Sequence, residues 1–402
     1  MKISGCILVV AAELCLAAQP LPTLVHEGDR WSNVVHGAFP CAVRGQVRIA
    51  TSGDVAIRGV ARDDCGYRIK QSVRAASDGE ARSQLRGFAS RARAIVDTSI
   101  LTIMPAEGSM ASLEVELWIP RTMREASVMT RGGRVQATDL DGSVSVDSGG
   151  GPIEIDRIGG NATAQTVGGK IKIGRVTGSV RCASGGGLIR VDFAGGETWA
   201  DTAGGEISIG QVMGPLHVAT AGGNIEIDRA AGAVWARSMS GLIDIQEAGG
   251  AVTAVARGGS IQIGSARGGA NCEANSGTIR VKTQDGPLHL STAMGNVLAQ
   301  LVSGRAFTDS FVNSDSGDVT VLIPADFAVT VMAMNETPGY RGMIVSEFPQ
   351  IRVVQSAGGR YPVKAEGALH GGGPVLRVST GRGSIYLLRQ KRARVGAARP
   401  PN

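Results

Sequence analysis

Arg181, Trp199, His217 and Trp235 follow one another at intervals of 18 residues. A guanidinium, two indoles and an imidazole are planar groups. They stack on one another and offer flat platforms to a sugar ring or to a second protein surface. Thr163 precedes them in the same series, and Thr253, Asn271 and His289 continue it. The chemistry this points to is recognition. No Ser–His–Asp or Cys–His arrangement can be argued from position, so nucleophilic catalysis has no candidate.

A second series carries carboxylates. It reads Gln136, Glu154, Lys172, Arg190, Ser208, Glu226, Asp244, Gln262 and Arg280. Acid–base cleavage of a polysaccharide needs two carboxylates paired at a cleft. Here acids, bases and neutral polar residues alternate without order, as in charge pairing across stacked strands on a solvated face. Calcium-binding nonapeptide repeats place aspartate in a GGxGxD pattern, whereas the position two after glycine is Ile or Val in this chain. The doubled glycines lack the GxxxxGK[ST] of a phosphate loop. The sequence therefore predicts no cofactor and no metal site.

What must position these side chains is a glycine frame. Glycine stands at every ninth position from Gly133 to Gly304. Every second one opens a Gly-x-Val/Ile motif, from GRV at Gly133 to GNV at Gly295. A unit of 18 residues in two halves of nine is too short for a helical hairpin, and a fixed period means copies stacked on one another. The fold class is thus all-β, a parallel β-solenoid (β-helix) of 18-residue coils with a small α+β N-terminal cap domain. In the first half-repeat, offsets two and four from each glycine are apolar, as at Ile153 and Ile155 or Ile207 and Ile209. In the second half they are smaller, as at Val180 and Cys182 or Val252 and Ala254. Apolar positions separated by one residue face inward on a strand, so the planar series, at offset three, faces outward. Cys182 and Cys272 share one inward ladder five turns apart. At roughly 4.8 Å per turn that is about 24 Å, far beyond disulfide reach, and makes them core thiols.

The repeat units GGKIKIGRVTG, GGEISIGQVMG and GGNIEIDRAAG resemble the bacterial putative-adhesin family, a β-strand-repeat domain of unknown function, over residues 130–388. The closing segment GGGPVLRVSTGRGSIYL at 371–387 belongs to the same resemblance. It implies an exported, non-catalytic β-helical protein and carries over no catalytic or binding residue.

The remaining organisation follows from composition. Residues 1–18 read as a secretory signal: Lys2, then an apolar run, then small residues before Pro20. Residues 20–131 form the cap domain, with short strands and a helix over 77–93 whose Ala81, Leu85 and Phe88 share a face. Residues 132–304 are the regular solenoid, and 305–388 are irregular final coils and a C-terminal cap. Residues 389–402 are a basic disordered tail: it holds five of the Lys and Arg residues and no acid, against a net charge of +6 for the whole chain. The basic pI thus describes a tail and no nucleic-acid surface. No segment reaches the length needed to span a bilayer once the signal is cleaved. Cys41 and Cys65 are left over, either paired or free. The expected function is an exported adhesin-like binding or scaffolding protein of the bacterial envelope, in the periplasm, on the surface or outside the cell. Its partner would be a glycan or an envelope protein. Two alternatives stay open: a polysaccharide-processing β-helix enzyme, and a purely structural rod.

Overall fold

The computed structural model describes residues 12–14, 24–39, 41–42, 44–85, 89–95, 97–104, 111–283, 285–302, 307–337, 342–354 and 363–390. The chain forms two compact units, Met1–Gly214 and Pro215–Asn402. Each is parallel β-solenoid.

In the first unit, Ser143–Ser148, Ala162–Thr166, Val180–Ser184 and Thr198–Thr202 lie parallel in one sheet. Val135–Leu140, Ile153–Ile158, Ile171–Val176, Ile189–Ala194 and Ile207–Val212 form the other. Partners are one repeat apart, so Ile153 stands opposite Ile171, and Ile171 opposite Ile189. Each column stacks β-branched residues on their own kind, and Ile171, Ile189 and Ile207 are fully buried. Such residues fit a pleated surface well, which is why a narrow core manages with few aromatics.

The inward set is larger than the offsets predict. Leu140, Ile158, Val176, Ala194 and Val212 make a third buried column in the first-half sheet. Two outward residues precede each of them. At Asp139 and Arg157 the second of these adopts φ of 64° and 54°. A left-handed residue bends the strand, so the next side chain turns inward and the period of two is skipped.

In the opposite sheet the third inward column is made of hydroxyls: Ser148, Thr166, Ser184 and Thr202. Ser184 Oγ donates to the Gly169 carbonyl at 3.0 Å and accepts the Gly187 N–H at 2.9 Å. Thr166 does the same with Gly151, at 3.1 Å, and Gly169, at 3.1 Å. Each hydroxyl ties the corner of its own coil to the coil before, satisfying polar backbone that the corner buries. A Cβ on Gly169 would run into the Gly151 carbonyl oxygen one coil earlier, and that close approach is what requires glycine there.

The coil begins before the glycine frame does. Gln46–Thr51 pairs in parallel with Glu125–Thr130, and Asp54–Val60 with Val135–Leu140. Thr98–Met104 and Ser112–Pro120 add one further parallel strand to each sheet. Antiparallel strands close this end: Ala89–Ile95 on Thr98–Met104, Cys65–Arg74 on Ser112–Pro120, and Arg30–Phe39 on Cys65–Arg74. Cys41 and Cys65 are joined in a disulfide.

The helix spans Asp78–Leu85. Ser77 Oγ accepts the Glu80 N–H at 3.3 Å, and the Glu80 carboxylate accepts the Ala76 N–H at 3.0 Å, a reciprocal N-terminal cap. It is shorter than the expected 77–93, because Ala89–Ile95 is a strand; the run ASRARAI alternates with period two. Ala81 and Leu85 pack on Val73, with Leu24, Trp31, Ala75 and Ala111 around them. Phe88 lies outside the described residues, as does the expected signal apart from Ala12–Leu14, which pairs antiparallel with Ala92–Ala94.

The second unit repeats the pattern. Leu216–Thr220, Val234–Ser238, Val252–Ala256, Ala270–Ser276 and Leu288–Met294 stack in one sheet. Ile225–Ala230, Ile243–Ala248, Ile261–Ala266, Ile279–Thr283 and Val297–Leu301 stack in the other. Ser310–Ser316 continues the first sheet, with Phe311 opposite His289. The break in the frame is therefore one coil four residues longer than the rest. At the end of this unit Val375–Thr380 inserts between Ser310–Ser316 and Val329–Asn335, and Ile385–Arg389 inserts between Val319–Ile323 and Ile344–Ser346. Lys364–Leu369 then runs antiparallel to Val329–Asn335, and the short Arg352–Val354 antiparallel to that, which ends the parallel ladder. Arg389, the first basic residue of the expected tail, lies in the last strand with its guanidinium 5.3 Å from the Phe348 ring centre. Residues 391–402 lie outside the described residues.

Candidate functional site

Within each unit two of the four planar residues stack across neighbouring strands. In the first, Arg181 on Val180–Ser184 stands opposite Trp199 on Thr198–Thr202, and its guanidinium lies 5.6 Å from the indole centre. In the second, His217 on Leu216–Thr220 stands opposite Trp235 on Val234–Ser238. Their rings are 4.3 Å apart and tilted by only 3°. All four side chains leave the sheet between two buried neighbours, as offset three requires. Trp235 keeps 42% of its surface exposed. The helix, which would have been a natural cover for such a strip, packs its Ala81 and Leu85 on Val73.

Register extends the second-unit ladder beyond what spacing alone reveals. From Trp235 it passes through Thr253, Asn271 and His289 to Phe311, which is 41% exposed. Phe311 escapes a search at 18-residue intervals because it follows the longer coil. A further stack is hidden by the strand bend: Arg175 sits 4.5 Å from the Phe193 ring centre, at the outward position just before the third inward column.

The sequence gives no hint of a cavity, yet the first unit has one. A cavity of about 450 Å³ opens on the outer face of the first-half sheet. Across that face one row reads Arg68, Glu116, Ala56, Gln136, Glu154 and Lys172. The next reads Trp118, Arg58, Thr138 and Asp156. Ala56 is the one short side chain in its row, so the long neighbours stand around a gap. The strands that meet here lie far apart in sequence, and two of them lie outside the glycine frame.

Electrostatics decide what this cavity can do. Glu116 pairs with Arg68 at 3.1 Å. Glu154 accepts hydrogen bonds from Lys172 at 3.0 Å and Gln136 at 3.2 Å. The Lys172 hydrogen bond holds the Glu154 carboxyl below its usual range, against a smaller opposing effect of burial. Asp156 pairs with Arg157 and also accepts the Arg175 N–H at 2.9 Å. Arg157 reaches on to Asp139 at 2.6 Å, and that hydrogen bond lowers the Asp139 pKa. A general acid needs the reverse, a carboxyl kept protonated by an apolar or like-charged setting. In the second unit Asp244 does shift upward, by burial first and by the charge of Asp228 second. It stands on the outward ladder beside Gln262, in register, and Gln246 donates to it at 2.9 Å.

The two core cysteines are inert. Both Cys182 and Cys272 are fully buried, and burial pushes the Cys182 thiol up to about 12 and the Cys272 thiol higher still. Among the described residues no group of three or more His, Cys, Asp or Glu is gathered as a metal site, and no helix is long and apolar enough to cross a membrane.

No protein-family model matches the chain, and no curated protein matches it. Among solved structures it is similar to a putative cell adhesion protein from Clostridium sporogenes, at 8% identity and a TM-score of 0.17, over 89% of this chain and 99% of that one. It is also similar to a putative adhesin from Bacteroides fragilis, at 15% identity and a TM-score of 0.27, over 67% of this chain and 97% of that one. At these TM-scores the likeness is too slight to bear on function.

Proposed function

We propose that the protein is an exported, non-catalytic, adhesin-like β-solenoid of the cell envelope, and that it holds glycan on its stacked planar side chains. The observation that carries this reading is the His217–Trp235 stack, parallel within 3° and with the indole 42% exposed. An exposed indole costs solvation, and a stack with its rings already aligned has little rotamer freedom left to lose when a ligand arrives. A purely structural rod needs neither. The cation-paired carboxylates of the first unit support a binding role over catalysis, since a lowered pKa keeps them ionised at neutral pH. The Cys41–Cys65 disulfide supports an oxidising compartment, in line with export.

The test is a glycan array probed with the full chain and with Trp199→Ala/Trp235→Ala. The double variant should lose retention on the glycans that hold the parent protein, while its melting temperature stays within a few degrees. Unchanged retention, or no retention by the parent on any glycan, would remove this reading and leave the structural rod.

A further inference from the structure

Within the first unit the cavity over Ala56 opens on the other sheet from the Arg181–Trp199 stack, and its chemistry is different. We infer that it is a second binding site, selective for an acidic pyranose, that is, a hexuronate unit of an oligosaccharide.

The inference follows from which groups are already engaged. The carboxylates of Glu116, Glu154 and Asp156 and the amide of Gln136 are held by neighbouring side chains. Arg58 is exposed, lines the cavity, and makes no hydrogen bond or ion pair among the described residues. Trp118, half-buried, also lines it, and its register partner across the strands is Arg58. The cavity thus offers one cation free of hydrogen bonds and ion pairs among the described residues, within the field of the Asp139 carboxylate and directly beside one aromatic wall.

Three properties of a ligand follow. A flat apolar face is needed against the indole of Trp118, and the C–H face of a pyranose supplies it. A carboxylate is needed for Arg58, because the planar guanidinium fork matches a carboxylate in two parallel hydrogen bonds. Hydroxyl donors are needed for the rim, where the paired carboxylates still have free lone pairs to accept them. A hexuronate has all three. A neutral hexose lacks the second, and an acidic peptide lacks the ring face with its hydroxyls. The volume of about 450 Å³ suits one or two sugar units.

The decisive experiment is calorimetric titration with a matched pair of disaccharides, cellobiouronic acid and cellobiose, which differ only in the carboxylate. The full chain should bind the acid at least about tenfold more tightly, the size of a charge-assisted hydrogen bond. Raising the salt concentration should narrow that gap. Arg58→Met, an exposed change that leaves the fold intact, should abolish the preference for the acid. Trp118→Ala should weaken both ligands. Trp235→Ala should change neither, so failure of this site and failure of the planar stacks are told apart. Equal affinity for the two disaccharides, no binding of the acid at millimolar concentration, or an unaltered preference in Arg58→Met would each overturn the inference. Should Trp118→Ala fail to fold, Arg58→Met still decides.

Discussion

The outer face of the first unit around Ala56 and the outer face of the second around Trp235 are built on the same kind of coil, yet they differ in relief. Around Ala56 a short side chain stands among long charged ones, and the face is hollow. Along Trp235, Thr253, Asn271, His289 and Phe311 the side chains rise in single file, with aromatic platforms at its ends. The comparison teaches that a solenoid face gains a concave site from one undersized residue in a row and a flat track from a run of planar ones. The outward columns set the relief of each face, while the inward columns keep the coils in register.

The largest expected effect tests that separation. Ile207→Asp places a charge in a fully buried column with no partner, and the protein should unfold or aggregate. Ser208→Lys, one residue away on the outer face, should move the melting temperature little. Thermal melts of the two variants check this, and similar losses from both would erase the distinction between column types.

A middle-sized effect sharpens it within the core. Ser184→Ala removes a hydroxyl that bridges two coils and leaves a buried carbonyl and N–H short of a partner, at a cost of about 1–3 kcal/mol in denaturant unfolding. The second unit contains the natural counterpart. Ala256 and Ala274 hold the equivalent position there, and Gly277, at the corner after Ala274, has a φ of 147°. At the Gly277 corner, which has no hydroxyl before it, the backbone adopts a conformation that glycine accepts easily. A Ser184→Ala variant as stable as the parent would show that the corners hold without their bridges.

The smallest effect contrasts the charges on the two units. Asp139 and Glu154 have lowered pKa values, chiefly from the hydrogen bonds of Arg157 and Lys172. Their contribution to stability is complete above the unfolded-state carboxylate range and is lost as pH falls through the lower folded values. Asp244 is raised, chiefly by burial, so its ionised form opposes folding. That penalty is full at neutral pH and fades as pH falls towards the unfolded-state value. Asp139→Asn should therefore lower stability at neutral pH and flatten the acid limb of the pH–stability curve. Asp244→Asn should raise stability slightly at neutral pH, a gain that shrinks as pH falls towards the unfolded-state carboxylate value. Both are exposed enough that shifts of a few degrees in melting temperature are the most to expect. The same sign for both variants would mean that the two carboxylates share one setting.

Much of the fold was legible in the sequence because it rests on local alternation repeated at a fixed interval. The columns at offsets two and four, the core placement of Cys182 and Cys272, and the outward placement of Arg181, Trp199, His217 and Trp235 all follow from counting residues from a glycine. The third apolar column did not, because two outward residues precede each of its members and interrupt the alternation, with left-handed backbone at Asp139 and Arg157, so that Leu140 and Ile158 look out of phase. The hydroxyl column did not, because Ser184 and Thr166 read as surface residues until their two backbone partners are seen. The pairing of the planar residues into stacks was visible as a spacing, but the angle and distance of the His217–Trp235 stack were not.

By itself, then, the sequence determined the coil, its period, and which side of each strand meets solvent, since these depend only on neighbours along the chain and one repeat away. The tertiary structure alone decided the cavity. Its walls come from Asp54–Val60, Ser112–Pro120, Val135–Leu140 and Ile153–Ile158, and their register sets Ala56 beside Glu116 and Gln136. Two of those strands lie before the first frame glycine, where no period announces which residues will be neighbours. Only the hydrogen-bonded pairing of strands some 60 residues apart, as between Ala56 and Glu116, brings Arg58 and Trp118 to the same opening.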